Sequence, residues 1–458
     1  MIRQKRIKGL YPQIYDFENL YQAYRQARKC KRFRDEVLQF TDNLEENLIE
    51  LQNHLIWRTY RVGRYREFFV YEPKKRLIMA LPFRDRVVQW AIYRQLNPLL
   101  ERRYIHNSYA CRVGRGTHRA ADRLQYWMRY LERRCERVYA LKLDVARYFF
   151  RVDHDILMRI LKRIIADEDL LWLLETIIRS EDTRFGVALE DHQFAGGRIA
   201  SIGMPIGNLT SQMCANLYLN ELDQHVKHDL RVRHYLRYMD DMIILHPDKT
   251  RLWQLKTGIS TFLQNHLRLE LNSKTSVRPI SQGVDFCGYR IWTTHRKLRK
   301  STAKKMKRRL RYLRRACERG EVTAADLNAS WQSYCGLLKH CSSYRLKSKL
   351  EQEIHGATRI DSILWPRHCR GFCLGRDHDG SRTHRGGYAH RPALPAGIRV
   401  WRRGARSRRH GHAASRVSPM AAMRQHRNHR MGDGRIIRPA TGSVQARGAS
   451  RGVGAACA

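Results

Sequence analysis

The stretch HYLRYMDDMIILH, His234 to His246, decides how the rest of the chain is read. Two apolar, strand-like halves flank adjacent carboxylates, Asp240 and Asp241. Asp is a good turn residue, so the pair by itself fits a plain hairpin turn. It also fits a site, because like charges this close resist joint ionisation and call for a cation. Working outward, the apolar run YALKLD, 139–144, ends in a third carboxylate, Asp144. A carboxylate at the end of a buried strand is costly unless something neutralises it.

Three carboxylates at one sheet edge suit two hard divalent cations, Mg²⁺ first and Mn²⁺ as a substitute. Two such ions about 3.5–4 Å apart activate a primer 3′-hydroxyl and stabilise leaving pyrophosphate in an in-line displacement. The chemistry indicated is nucleotidyl transfer. The charge agrees: Lys and Arg number 88 against 43 Asp and Glu, a formal net charge of +45 over 458 residues. Such an excess repels itself unless polyanions neutralise it, and nucleic acid is the expected partner.

The basic N-terminus MIRQKRIKGLYPQIYDF has no apolar core of a signal peptide. Apolar runs such as LLWLLETII fall well short of the ~20 residues of a membrane span. The eleven cysteines are scattered, without a disulfide framework, and a reducing cytoplasm with no membrane partner is expected. Cys369 and Cys373 in HCRGFC are half of a zinc pattern whose second half does not follow.

Composition changes near residue 350. Residues 351–458 hold 15 of the 29 glycines, 21 arginines, six acidic residues and no lysine. Without periodicity or apolar surface to offset ordering entropy, this tail is expected to be disordered, or to be an aberrant, frameshifted extension. Upstream the pattern is mixed α/β. Residues 17–60 read as helical, and 65–82 as a β-hairpin turning near Pro73-Lys74-Lys75. An amphipathic helix follows with Asp85 as its N-cap, then the strand ending at Asp144 and a helix from DHDILMRILKRII. MPIGNLTSQ, 204–212, opens a long helix, with Gly207 for close approach and Asn208 as cap. VDFCGYRIW reads as one strand; STAKKMKRRLRYLRRACERG, 301–320, is a basic helix with Leu310 and Leu313 on its apolar side. A capping box at Thr323 to Asp326 starts the next helix. The fold class is α/β of the α+β kind: a small antiparallel sheet backed by helices.

At this point the motifs resemble those of reverse transcriptases. RYMDDMIIL matches their Tyr-x-Asp-Asp motif, and LKLDVARYFFRVDHDIL their first palm motif. RLIMALPFRDRVVQWA, SYACRVGRGTHRA, LNSKTS and DFCGYRIW follow the family's order, over roughly residues 10–350. The resemblance implies a right-hand polymerase: an N-terminal helical extension at 1–60, fingers at 61–137, palm at 138–290, a short helical thumb at 291–350, and the tail at 351–458. It implies Asp144, Asp240 and Asp241 as catalytic metal ligands. It implies Lys74, Arg76 and Lys274 on the incoming triphosphate, with Phe149 as the aromatic gate against a ribose 2′-hydroxyl. Arg76 suits the task because its planar fork binds phosphate oxygens in two places.

Most bacterial reverse transcriptases carry Gln-Gly-x-x-x-Ser-Pro where this chain has Ile206, Gly207 and, at the end of the motif, Ser211-Gln212. The departure resembles the reverse transcriptases of diversity-generating retroelements. That resemblance implies copying of a template-repeat RNA from dNTPs into cDNA with errors opposite adenine, to diversify a variable repeat. It also implies a small basic oligomeric accessory protein as partner. A retron, group II intron or phage-defence reverse transcriptase, and a catalytically idle RNA-binding scaffold, stay open as alternatives. An RNA-dependent RNA polymerase shares the palm, but Phe149 argues against it.

Overall fold

The structure, a computed structural model, describes residues 5–71, 76–180, 184–188 and 197–355. The chain opens with helices α1 (Tyr11–Tyr15), α2 (Phe17–Ala27), α3 (Asp35–Asp42) and α4 (Leu44–Ile56). Asp16 caps α2 by accepting from the Asn19 amide, and Leu20, Ala23 and Tyr24 bury its inner face. Strands β1 (Arg66–Val70) and β2 (Arg76–Ala80) pair antiparallel with Phe68 opposite Ile78, the expected hairpin. Its turn, with Pro73, Lys74 and Lys75, lies outside the described residues.

Helix α5 (Phe83–Glu101) departs from the sequence reading. Pro82 holds the N-cap position, and Asp85 lies inside the first turn. Its buried carboxylate instead accepts from the Tyr60 hydroxyl at 2.7 Å and the Gly63 amide at 3.1 Å. A cap would leave those two donors unpaired, and buried unpaired donors are the costlier choice.

Next come α6 (Thr117–Glu132), β3 (Tyr139–Asp144), α7 (Tyr148–Arg151), α8 (His154–Ile164) and α9 (Glu168–Arg179). Asp153 and Asp167 cap α8 and α9. Helix α10 (Leu209–Gln224) runs into a π-helical turn at 225–229 and is followed by β4 (Tyr235–Tyr238) and β5 (Asp241–His246). After α11 (Lys249–Leu267), β6 (Ser276–Pro279) completes a four-stranded antiparallel sheet ordered β4-β5-β3-β6. The two-residue period of β3 gives the sheet two different faces. Leu141 and Leu143 join the apolar core with α5, α8, α10 and α11, while Ala140 joins a second core with Leu236, Ile243 and α6. Lys142 and Asp144 share the face of Ala140.

VDFCGYRIW is a hairpin and not one strand. β7 (Val284–Phe286) and β8 (Tyr289–Ile291) pair around Cys287 and Gly288, both at positive φ. Two consecutive left-handed residues reverse the chain with the twist that antiparallel strands need. β9 (Arg296–Leu298) adds a third strand, and α12 (Lys300–Glu318), α13 (Ala324–Leu338) and α14 (Tyr344–His355) follow. Met306, Leu310, Leu313 and Ala316 bury one side of α12, and the capping box of Thr323 and Asp326 opens α13. Helix α14 continues past residue 350; residues 356–458, with Cys369 and Cys373, lie outside the described residues. Among the described residues no helix is long and apolar enough to cross a membrane.

Candidate active site

The register of β3 and β5 places Asp144 opposite Asp241 at one end of the sheet. Asp240 sits beside them in the two-residue turn between β4 and β5. The other turn residue, Met239, has φ 56°, a left-handed conformation uncommon for a side chain of this size. Burial, then the charge of Asp144, pushes the Asp240 carboxyl up to about 6; Arg76 acts in the opposite direction, so its charge reaches this site. Arg76 itself is exposed at the start of β2.

Asp241 is held differently. Lys142 Nζ donates to its Oδ2 at 3.1 Å and to the Asp285 carbonyl of β7 at 2.8 Å. Burial raises the Asp241 carboxyl, and Lys142 opposes the shift. Its second oxygen, Oδ1, is buried with no hydrogen-bond partner. An oxygen-only donor set with one unpartnered buried oxygen fits a hard divalent cation. As the side chains stand, no three His, Cys, Asp or Glu among the described residues converge into a ligand set. Asp241 is engaged with Lys142.

Asp144 is tied to the loop carrying Lys274. The Asn272 amide donates to the Asp144 carbonyl at 2.7 Å and Asn272 Nδ2 to its Oδ2 at 3.2 Å. Asn272 Oδ1 in turn accepts from the Lys274 amide at 3.1 Å, and Lys274 itself is exposed.

The segment 204–212 is fastened on two sides. The Met204 amide donates to the Phe149 carbonyl at 2.6 Å, and the Met79 amide of β2 donates to the Ile206 carbonyl at 3.2 Å. Gly207 has φ 123°, and a Cβ there would sit 3.4 Å from Ile78 Cγ2. The positive φ, and not the close approach read from the sequence, is thus the reason for glycine, since a Cβ would make only ordinary contact with β2. Asn208 occupies the N-cap position of α10 without capping it: its Nδ2 donates to the Tyr65 hydroxyl at 3.0 Å. Gln89 of α5 supplies the acceptor, taking the Leu209 amide at 3.1 Å. Ile206 and Gln212 are half-buried. Phe149 is also half-buried, packed against the core and edge-on to Tyr148. Lys74 lies outside the described residues.

Sequence reasoning passed over Lys142 and the ion pair of Arg237 with Asp223. Arg237 is wholly buried on β4; its Nη2 donates to Asp223 Oδ2 of α10 at 2.7 Å and its Nη1 to the Met239 carbonyl at 2.9 Å. The signal was present: a lone charge inside an apolar strand requires a buried partner.

A small antiparallel sheet with carboxylates at one strand end and helices behind it resembles the reverse transcriptase type of polymerase fold. Residues 72–291 match the family model described as Reverse transcriptase (RNA-dependent DNA polymerase), and this part of the chain is a reverse transcriptase domain. Protein YkfC of Escherichia coli (strain K12) is similar at 26% identity over 259 residues, 48% of this chain; the match spans 65% of that relative's length. The structure of telomerase from Candida albicans, in complex with a TWJ fragment of telomeric RNA, is similar with a TM-score of 0.39 and 11% identity. That match covers 68% of this chain and 63% of the telomerase chain.

Proposed function

We propose that the protein is an RNA-directed DNA polymerase of a diversity-generating retroelement. In this reading 61–137 are fingers, 138–290 palm and 291–350 thumb. The observation that carries the polymerase reading is the register of Asp144 with Asp241, with Asp240 in the adjoining turn. These three residues would hold the divalent cations, Mg²⁺ first. When bound, such ions supply activation of the 3′-hydroxyl and stabilisation of the departing pyrophosphate.

The chain's own residues do the rest. Arg76 and Lys74 grip the incoming triphosphate, and Lys274, two residues after the Asn272 that bonds Asp144, donates a proton to the leaving pyrophosphate. Phe149 closes the space that a ribose 2′-hydroxyl would occupy. Ile206, Gly207 and Gln212 border the nucleotide, because their segment is fastened to both β2 and Phe149. An aliphatic Ile206 packs without hydrogen-bonding, so selection rests on base-pair shape. The lost polar contact is worth about 0.5–1.5 kcal/mol, roughly tenfold in selectivity. That is too little for strong adenine-specific error by itself; template geometry and Gln212 are the further candidates. The partners are template-repeat RNA, its cDNA and a small basic accessory protein.

The test is primer extension by purified protein on an adenine-containing RNA template, with and without the accessory partner, followed by sequencing. dNTP incorporation with errors concentrated opposite adenine is expected. An Asp240→Ala variant that still incorporates dNTPs would overturn the polymerase site. An even error spectrum would instead assign the chain to another bacterial reverse transcriptase lineage.

A further inference from the structure

On the far side of the core from the carboxylates, the outer face of α8 walls a groove of about 1030 Å³. Ile156, Leu157, Ile160, Leu161 and Ile164 turn inward, into the core that takes Leu141 and Leu143. Asp155, Arg159, Lys162 and Arg163 are exposed on the opposite side. The N-terminal segment closes one end of the groove. Ile7 bridges to Ile165, and Arg6 donates to the carbonyls of Lys162 and Ile165, which fixes Lys5 beside the helix.

Among the described residues, the charges in this groove do not balance. Its one carboxylate among them, Asp155, is taken by Arg179 at 2.6 Å, and Arg163 pairs with Glu221 at 2.6 Å. Lys5, Arg159 and Lys162 have no carboxylate partner among the described residues. The dipole at the α8 C-terminus accounts for Lys162 but not for Arg159 in mid-helix. Seven residues of helix separate Asp155 from Lys162, about 10 Å, so the groove accepts more than one phosphate. Among the described residues no aromatic side chain lines it to offer a stacking platform for bases. Met158, the apolar lining residue among those described, is buried and does not insert into a lipid surface.

We propose that this groove binds the phosphodiester backbone of RNA outside the polymerising cleft, holding template flanks without reading sequence. The polymerase reading enters only in naming the polyanion as RNA. Phosphate contacts position a nucleic acid and carry no base information, so binding here is salt-dependent and indifferent to sequence.

The test compares two primer–templates on the full chain: a bare duplex, and the same duplex with 20-nucleotide single-stranded RNA flanks. The unaltered protein should bind the flanked form about tenfold more tightly at moderate salt, as expected for a few phosphate contacts. The triple variant Lys5→Gln, Arg159→Gln, Lys162→Gln should lose that advantage. Its log–log salt slope on flanked RNA should flatten by about 2, at about 0.7 per contact on single strands. Incorporation on saturating bare duplex should not change. The charge-preserving variant Lys5→Arg, Arg159→Lys, Lys162→Arg should keep the advantage, separating charge from folding. A flank advantage absent from the unaltered protein, or intact in the triple variant, overturns the proposal. So does a triple variant that loses binding only to phosphatidylserine vesicles. A flank advantage in a protein that never incorporates dNTPs would support the groove and sink the polymerase reading.

Discussion

Arg237 grips Asp223 with two arms, Nε at 2.8 Å from Oδ1 and Nη2 at 2.7 Å from Oδ2, and both side chains are wholly excluded from solvent. The Tyr235 hydroxyl donates to the same Oδ1 at 2.7 Å. Helix α10 is thereby locked to strand β4, and the remaining arm of Arg237 reaches the Met239 carbonyl, next to Asp240. Removing one member of a buried pair leaves an uncompensated charge and costs about 3–5 kcal/mol. Asp223→Ala should lower unfolding stability by that amount in urea titration. Arg237→Lys keeps the charge but not the fork. A smaller stability loss is expected, with kcat down about tenfold or more because the Asp240 turn is no longer aimed. Equal kcat in Arg237→Lys and the parent would show that the pair serves folding alone.

Lys142 joins the carboxylate site to the β7–β8 hairpin through Asp241 and the Asp285 carbonyl. Lys142→Met leaves both acceptors without their donor in a partly buried place, a loss of about 1–3 kcal/mol. Asp241→Asn alone should cost less, and the double variant less than the sum. A double-variant cycle with a coupling near zero would mean that the contact carries no energy.

How far the sequence could be read depended on whether a feature was local. The alternation of YALKLD and the flanks of Asp240-Asp241 encode strand faces directly, so the sheet and its carboxylate end were legible. The capping box of Thr323 was equally local. Asp85 and Asn208 misled because each looks like a cap, while partners distant in sequence, Tyr60 and Tyr65, claim their side chains. Cap preference is worth about 1 kcal/mol, which a buried tertiary hydrogen bond can outweigh. VDFCGYRIW hid its turn because Cys287 adopts positive φ without being Gly or Asn. The basic groove on α8 was out of reach, since Lys5 and Arg159 meet only in the folded chain.

Asp240 gives the metal-free protein a pH dependence of definite sign. Its folded-state carboxyl titrates near 6 against an ordinary value of 3.8, so the folded form holds the proton more tightly. The associated stability is fully present below about 3.8 and is lost as pH rises through 6. Ionised Asp240 therefore costs roughly 2–3 kcal/mol at pH 7.5. In EDTA, Asp240→Asn should be more stable than the parent by about that much at pH 7.5, with the gap roughly halved at pH 5. Added Mg²⁺ or Mn²⁺ should stabilise the parent more than the variant, by mass action. A variant no more stable than its parent at pH 7.5 in EDTA would refute the electrostatic account.

Gly207 and Ile206 separate geometry from chemistry in the segment beside β2. At φ 123° an alanine is strained whatever space surrounds it, although its Cβ would make only ordinary contact with Ile78. Gly207→Ala should relax the strained backbone away from φ 123°, weakening the bond from the Met79 amide to the Ile206 carbonyl. KM for dNTPs should rise for every template base alike. Ile206→Gln leaves the backbone unchanged and adds a hydrogen-bonding group. If the aliphatic residue contributes to low fidelity, error opposite template adenine should fall by a factor of about ten or less, the worth of one polar contact. Error opposite the other bases should barely move. Both variants can be scored in one primer-extension series with sequenced products, and an adenine error rate unchanged by Ile206→Gln removes Ile206 from the explanation.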